Sequence, residues 1–207
     1  AATLKDVREF YTRYYAPANA TLVVAGDFDP AVTKRLIDKY FGSLPRRPAP
    51  APRKVTTPPL TGERRSIIRE PVRLPRVKMG WISPPAYAPG DAECDILSFI
   101  LGSGKSSRLH QRLVYELEIA QQVSASQESL ALGSIFTVTV VGRPGVDVTK
   151  LEAETQKILD ELRQRPPTER EILRARNQLV TATVSHLQRL GGFGGRADML
   201  KPVSYTH

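Results

Sequence analysis

A proline-rich segment, PRRPAPAPRKVTTPP from Pro45 to Pro59, constrains the fold of this 207-residue chain more than any other feature. Each of its six prolines removes a backbone donor and fixes the φ angle, so a regular helix cannot pass through it. We therefore expect an extended, semi-rigid linker over residues 45–62. This linker separates an N-terminal part, residues 1–44, from a larger part, residues 63–207.

The N-terminal part has the pattern of a helix, a strand and a second helix. The sequence predicts an amphipathic helix for TLKDVREFYTRYY and a buried strand for Ala20–Phe28, followed by a helix capped by Asp29 and stopped at Gly42. So short a segment cannot bury a core of its own. We therefore expect the strand around Leu22–Val24 to dock on the larger part or to form a strand-mediated dimer with a second copy.

The larger part, residues 63–207, alternates pairs of strands with pairs of helices. Strands are predicted over 64–70, 76–83, 121–129 and 133–142, and helices over 91–101, 106–116, 146–167 and 168–191. The last helix begins on a Thr168-x-x-Glu171 capping box. This order indicates an α+β fold, with a mostly antiparallel sheet and helices packed on one face. Gly133–Gly142 is expected to be its central strand, with Ile135, Thr137 and Thr139 on one face and Phe136, Val138 and Val140 on the other.

The run LGSGKSS, from Leu101 to Ser107, resembles the end of a nucleotide-binding P-loop. A P-loop opens with a further glycine and follows a buried strand. Here Phe99 occupies the position of that glycine, and a helical apolar pattern precedes the run. The glycines fit a helix C-terminus, and Ser106 or Ser107 fits the N-cap of a second helix. Nucleotide binding is therefore rejected.

The net charge of +9 invites a nucleic-acid hypothesis. Many of the basic residues lie in or near the proline-rich linker, and the aromatic residues do not interleave with them as a stacking platform would. A solvated surface or attraction to acidic partners fits this distribution better than DNA or RNA recognition. No apolar run approaches the length of a membrane span. Cys94 is the only cysteine, which excludes an intrachain disulfide and indicates a core filler.

Four stretches together resemble the inverzincin metallopeptidases of the pitrilysin, insulinase and mitochondrial processing peptidase type. They are LKDVREFYTRYYAPANATLVVAGDFDP, LGSGKSSRLHQRLVYELEIAQQVSAS, GRPGVDVTKLEAETQKILDEL and QRLGGFGGRADML. The resemblance, to short bacterial subunits, implies two homologous α+β halves that enclose a peptide substrate like a clamshell. It further implies that residues 1–44 are the end of the first half and that residues 63–207 are most of the second, truncated after Leu200. Bacterial relatives favour the periplasm or cell envelope.

The resemblance also implies a catalytic zinc in the parent protein. Such a zinc sits on H-x-x-E-H plus a distant glutamate in the first half, ahead of the segment that matches here, and the motif's glutamate acts as the base for a zinc-bound water. The three histidines of this chain, His110, His186 and His207, are not paired at ligand spacing. We therefore expect no metal or other cofactor in this chain, and no peptide hydrolysis by the chain alone.

Family members often carry an arginine and a tyrosine, seven residues apart, that help to bind substrate backbone. Aligned on LHQRLVYELEIAQQV, these positions fall on Val114 and Gln121, so the pair is missing. Two parents remain open. One is a zinc-bearing endopeptidase subunit completed by a partner subunit, and the other is a non-catalytic partner or binding subunit with the same fold.

The glycine-rich turn supplies the only candidates for substrate contact, and no residue is assigned a catalytic role. Because Glu116 and Glu118 would lie on different helix faces, they do not form an acid–base pair. A glycine cap and a serine N-cap also explain the turn as a structural connector. The candidate chamber residues are Gly102, Gly104, Ser106, Ser107 and Arg108.

Overall fold

The computed structural model describes residues 2–45, 48, 50–51, 59–191 and 195–200. Most of the predicted linker and the chain end after Leu200, with His207, lie outside the described residues. The chain forms two compact units, one from residues 1–54 and 182–207 and the other from residues 55–181.

The first unit begins with two capped helices. Helix α1 spans Leu4–Tyr14 and starts on a capping box between Thr3 and Asp6. A short 3-10 turn, Pro17–Asn19, follows. Helix α2 spans Pro30–Phe41, and the carboxylate of its N-cap residue accepts two backbone N–H groups. The predicted cap at Asp29 and stop at Gly42 are therefore confirmed.

The strand predicted over Ala20–Phe28 does not form in the structure, where none of these residues belongs to a sheet. Leu22 is 55% exposed, and Val24 is exposed as well. The apolar, β-branched run has the local preference of a strand but no neighbouring strand among the described residues. Because a strand is stabilised by cross-strand pairs, that prediction was wrong for this chain by itself.

The second unit contains the sheet. Its elements are β1 (Arg76–Ser83), α3 (Asp91–Gly102), a π helix (His110–Glu116), β2 (Ala120–Glu128), β3 (Ser134–Gly142), α4 (Val148–Gln164) and most of α5 (Glu169–Leu187). The end of α5 and the short helix α6 (Arg196–Leu200) belong to the first unit. The strand predicted over 64–70 is absent. Arg65 in that segment instead forms a bidentate ion pair with Glu152 of α4.

The sheet is antiparallel with the strand order β1-β3-β2, so β3 is central as predicted. Burial alternates along β3: Phe136, Val138 and Val140 are buried, whereas Ile135 is exposed. The buried side packs against apolar residues of α3, the π helix and α4. Sheet and helices in this arrangement confirm the α+β fold class. The core cluster includes Leu101, Leu109, Leu113, Leu151 and Ile158, with Cys94 packed at its margin.

Local pattern also located the other elements of the second unit. The capping box at the start of α5 is present. The backbone N–H of Glu171 donates to Thr168 Oγ1, and the backbone N–H and the hydroxyl of Thr168 both donate to the Glu171 carboxylate. The helix predicted over 106–116 is present but widened to π geometry, shown by the bond from Leu117 N to Arg112 O. No helix in the described ranges combines the length and hydropathy needed to cross a membrane.

Candidate functional site

The face of the sheet that does not pack on the core is open, and we call it the open face. The strand register builds it from four cross-strand rows. All members are exposed except Thr137 and Thr139, which are half-buried, and Val141, which is buried. The rows are Arg76–Val141–Gln122, Lys78–Thr139–Ser124, Gly80–Thr137–Ser126 and Ile82–Ile135–Glu128.

The chemistry of the open face changes along β1. Its first end is basic, since Arg76 and Lys78 are both exposed and neither makes an ion pair with another described residue. Small hydroxyl side chains occupy the middle, where Ser126 Oγ lies 3.5 Å from Thr137 Oγ1. At the other end Ile82 is 47% exposed and its cross-strand neighbour Ile135 is 46% exposed, and the exposed carboxylate of Glu128 on β2 completes the row.

Strand β1 also has a free edge. It pairs only with β3, and no other strand in the described ranges lies beside it. The outer N–H and C=O groups of β1 therefore take no part in a ladder with the described part of the chain. By contrast, β2 at the opposite side of the sheet packs against α3, whose last residue approaches the β2 backbone.

Gly80 makes a dip in the open face beside this edge. A Cβ placed on it would meet only the Ile135 and Thr137 methyl carbons at 3.9 Å and the Phe136 carbonyl oxygen at 4.0 Å, which is ordinary contact. The chain itself therefore does not require glycine here. Glycine within a strand often marks a place where another backbone or a ligand approaches closely.

A polar network fixes the end of the sheet next to the row of Ile82 and Ile135. The carboxylate of Asp91, at the start of α3, accepts from Tyr87 N at 2.9 Å, Gln127 Nε2 at 2.9 Å and Ser129 Oγ at 2.6 Å. Ser83 Oγ in turn donates to Gln127 Oε1 at 2.8 Å. Burial raises the pKa of Asp91, but these hydrogen bonds outweigh burial and hold the pKa below its ordinary value. The network ties β1, β2 and α3 together.

The predicted chamber residues of the glycine-rich turn each have a structural contact. A Cβ on Gly102 would fall far inside van der Waals contact of the Ala125 backbone nitrogen, so close packing on β2 requires glycine there. Gly104 has a φ of 74°, which favours glycine. Ser107 is buried, and its hydroxyl donates to Gly104 O at 2.8 Å instead of capping the next helix. A substrate role for this turn stays a prediction.

Two further members of that turn fasten it to α5. Arg108 donates to the Glu171 carboxylate from Nε at 2.8 Å and from Nη2 at 2.9 Å, and from Nη1 to Arg165 O at 3.1 Å. The carbonyl of Ser106 accepts from Arg174 Nη2 at 3.2 Å. Hydrogen bonding from Arg108 lowers the pKa of Glu171 to about 2, against the effect of burial.

The two described histidines, His110 and His186, do not lie in a metal centre. His110 packs on Tyr115 with ring centroids 5.1 Å apart, and its Nδ1 is buried without a hydrogen-bond partner among the described residues. His186 is exposed on α5. In the part of the chain that the structure describes, no three His, Cys, Asp or Glu side chains come together as a metal site. The side chains present therefore do not fit a catalytic zinc.

The two positions of the missing arginine–tyrosine pattern lie in different surroundings. Val114 is half-buried and packs against the core. Gln121 is exposed and is the extra residue of a β-bulge, because Ala120 pairs with Gly142 and Gln122 pairs with Val141. Neither side chain can supply a guanidinium or phenol to a substrate.

The open face was not singled out from the sequence, although a signal was present. In RVKMGWIS the apolar positions Val77, Met79 and Trp81 predict the packed side, so the intervening residues had to form the other side. What the period cannot show is that no described strand lies beyond β1 and that the outer members of these rows stay exposed.

A family profile described as the peptidase M16 inactive domain matches residues 1–179. The zinc protease PqqE of Helicobacter pylori is 29% identical over 197 residues, which cover 93% of this chain and 44% of that protein. The chain thus spans less than half of that relative's length. YhjJ of Escherichia coli is 35% identical over 83 residues, 39% of this chain and 16% of that protein.

Solved structures share the fold. A protease from Helicobacter pylori superposes with a TM-score of 0.82 at 27% identity, covering 97% of this chain and 47% of that one. A peptidase M16 inactive domain from Pseudomonas fluorescens gives a TM-score of 0.71 at 21% identity, over 86% of this chain and 43% of that chain. The resemblance stated from the four sequence stretches is therefore confirmed at the level of the family and the fold.

Proposed function

The chain belongs to the peptidase M16 inactive-domain family, and from this we propose that it is the non-catalytic half of a zinc-dependent endopeptidase. In this proposal the open face forms part of the wall of the chamber that holds the peptide. The observation that carries the proposal is a sheet face whose β1 and β2 side chains are exposed and change from basic through hydroxyl to partly apolar, in a family whose relative is called a zinc protease.

The work of the chain's own residues is binding and orientation. The hydroxyl and apolar side chains of the open face contact side chains of the peptide. The described side chains do not fit a zinc site, so no bond-breaking step is assigned to them. Zinc and its ligands would come from a homologous half or a partner subunit.

The experiment is to mix the chain with an unfolded, reduced and alkylated protein and with the same protein folded. We expect saturable binding of the unfolded form only, without cleavage. Adding the separately expressed remainder of the Helicobacter pylori zinc protease should then give chelator-sensitive cleavage above that of either piece alone. Cleavage by the chain alone, or failure to bind the unfolded protein, would contradict the proposal.

A second candidate is a non-catalytic partner or binding subunit of a peptidase complex. It is favoured by Val114 and Gln121, which replace the arginine and tyrosine expected beside a catalytic zinc. It predicts the same binding of unfolded protein, but no stimulation of cleavage by any zinc-bearing half. The stimulation experiment therefore separates the two candidates.

A further inference from the structure

We infer that the segment from His110 to Ile119 is an acid-responsive switch in which the ring of His110 sets the helical register. With a neutral ring the segment is a π helix, and a protonated ring releases it into α register. The switch lies within the second unit and does not depend on the proposed function. It does not depend on what else covers this unit either, because the described residues already enclose the atom that triggers it.

Two backbone hydrogen bonds define the wide register. The N–H of Leu117 donates to Arg112 O, five residues back, at 3.0 Å. The N–H of Ile119 donates to Leu113 O, six residues back, at 3.0 Å. In an α helix Leu117 would instead donate to Leu113 O. The Leu113 carbonyl is therefore the group for which the two registers compete. Such π segments are rare and are frequent at functional sites.

The contact between His110 and Tyr115 holds the wide register. The two ring centroids are 5.1 Å apart, and the residues are five positions apart in sequence. In an α helix two such residues lie about 140° apart around the axis and face different ways. The wider turn of a π helix, with hydrogen bonds over five residues, brings them onto one face. The ring contact and the π register therefore form and break together.

The same packing leaves one nitrogen of the His110 ring without a partner. Nδ1 is buried and has no hydrogen-bond partner among the described residues, whereas Nε2 is not enclosed in this way. A neutral imidazole can keep its proton on Nε2, so that Nδ1 presents only a lone pair. An imidazolium carries a proton on both nitrogens, and a buried donor without an acceptor is costly. The packed ring is therefore compatible with the neutral form only.

Among the described residues, no charged group relieves this cost. Strand β2 and helix α4 pack on the π helix, and β2 carries one charge, Glu128, at its far end. The glycine-rich turn before the helix contributes only cations, Lys105 and Arg108. The nearby carboxylates are already engaged by arginines: Glu116, Glu154 and Glu161 attract Arg112, and Glu118 pairs with Arg143. None of these groups forms a hydrogen bond with Nδ1 of His110.

Acid therefore expels the ring from this packing. Histidine gains its proton as the pH falls from about 8 to about 5. The π register is the state of the neutral ring, so it is present at the upper end of that range and is lost toward the lower end. The path of the ring to water is short, because its packing partner Tyr115 is 52% exposed.

The change of register reaches the start of β2. When Leu113 O accepts from Leu117, it releases the N–H of Ile119, which immediately precedes the strand. Between helix and strand, Glu118 is held in a strained left-handed conformation with a φ of 50°. The bulge at Gln121 interrupts the ladder just beyond. Release of Ile119 therefore lets the first residues of β2 shift.

The test follows the whole chain by nuclear magnetic resonance between about pH 8 and about pH 5. One signal is the cross-relaxation between the rings of His110 and Tyr115, and the other is the scalar coupling across the hydrogen bond from Leu117 to Arg112 O. We expect both at the upper pH. Both should be lost at the midpoint of the His110 ring titration, and a coupling from Leu117 to Leu113 should replace the second.

Three variants separate the charge of the ring from its packing. His110→Phe keeps a ring but removes the nitrogens, so the coupling from Leu117 to Arg112 should persist at both ends of the pH range. Tyr115→Ala removes the ring contact, so the α register should be present at both ends. The matched control His186→Phe, on α5, should change register as the native chain does.

A ring contact that persists after His110 has become charged would overturn the inference. So would a full acid response in His110→Phe, or an unchanged π register in Tyr115→Ala. If His110→Phe does not fold, the native chain decides alone, because a register change with a midpoint other than that of the His110 ring contradicts the switch. Binding of unfolded protein is not read in this experiment, so failure here leaves the proposed function standing.

Discussion

Arg108 and Glu171 are 63 residues apart in sequence, yet Nε and Nη2 of the arginine bond both carboxylate oxygens, at 2.8 and 2.9 Å. The same carboxylate closes the capping box of α5 by accepting from Thr168. One side chain thus caps a helix and anchors the turn that follows α3. Both partners are only about one-fifth exposed, so solvent screens the pair less than it would at the surface.

Replacing Glu171 with Gln should lower the free energy of unfolding by roughly 1–3 kcal/mol near neutral pH, because a charge-assisted bidentate pair is lost. Chemical denaturation of both proteins measures the difference. The exposed pair Arg112–Glu116 is the control, and Glu116→Gln should lower the free energy of unfolding far less than Glu171→Gln, because solvent screens that pair. Equal effects of the two substitutions would contradict the assigned role of Glu171.

The Glu171 contribution should also depend on pH. Its folded-state pKa of about 2 lies below the ordinary value of 4.5, so its stabilisation is fully present above the ordinary value and is lost as the pH falls toward 2. The stability gap between the native chain and Glu171→Gln should therefore close as the pH falls through that window. A gap that stays constant would show that packing, not charge, accounts for the effect.

Asp91 and Asp95, one turn apart on α3, should respond in opposite directions to removal of charge. Asp91→Asn weakens three hydrogen bonds to a buried carboxylate and should cost roughly 2 kcal/mol near neutral pH. Burial and the nearby Asp91 charge raise the pKa of Asp95, so its ionised form opposes folding and Asp95→Asn should be neutral or stabilising. Denaturation of the two variants in the same buffer tests this, and destabilisation by both would contradict it.

Gly102 and Gly104 should differ in the cost of a methyl group. Gly102→Ala drives a Cβ into the backbone of β2, including Ser124 C at 2.6 Å, and should cost about 3 kcal/mol or more. Gly104 has open space around its Cβ position but a φ of 74°, so Gly104→Ala should cost about 1 kcal/mol. Thermal unfolding of both variants measures the ranking, and the reverse order would contradict the packing seen at α3.

Local pattern predicted the helix ends and the three strands that form. The cap at Asp29, the capping box at Thr168 and the alternation along β3 are interactions within a few residues, which a single sequence displays directly. The two strands that failed have the same local character. Their formation depends on a partner strand elsewhere, and Arg65 is held by Glu152 of α4 instead. The Arg108–Glu171 pair and the unpaired outer edge of β1 could not be predicted from local pattern either, because they depend on which elements meet in space.

The central proposal is that this chain is the half of a zinc peptidase that holds the substrate and carries no metal. Zinc retained per chain after dialysis against trace zinc tests it most directly, because the described histidines, carboxylates and thiol form no group of three ligands. We predict substoichiometric zinc that a chelator removes readily, and no cleavage of a quenched peptide by the same sample. One tightly held zinc per chain, with peptide cleavage that a chelator abolishes, would contradict the account.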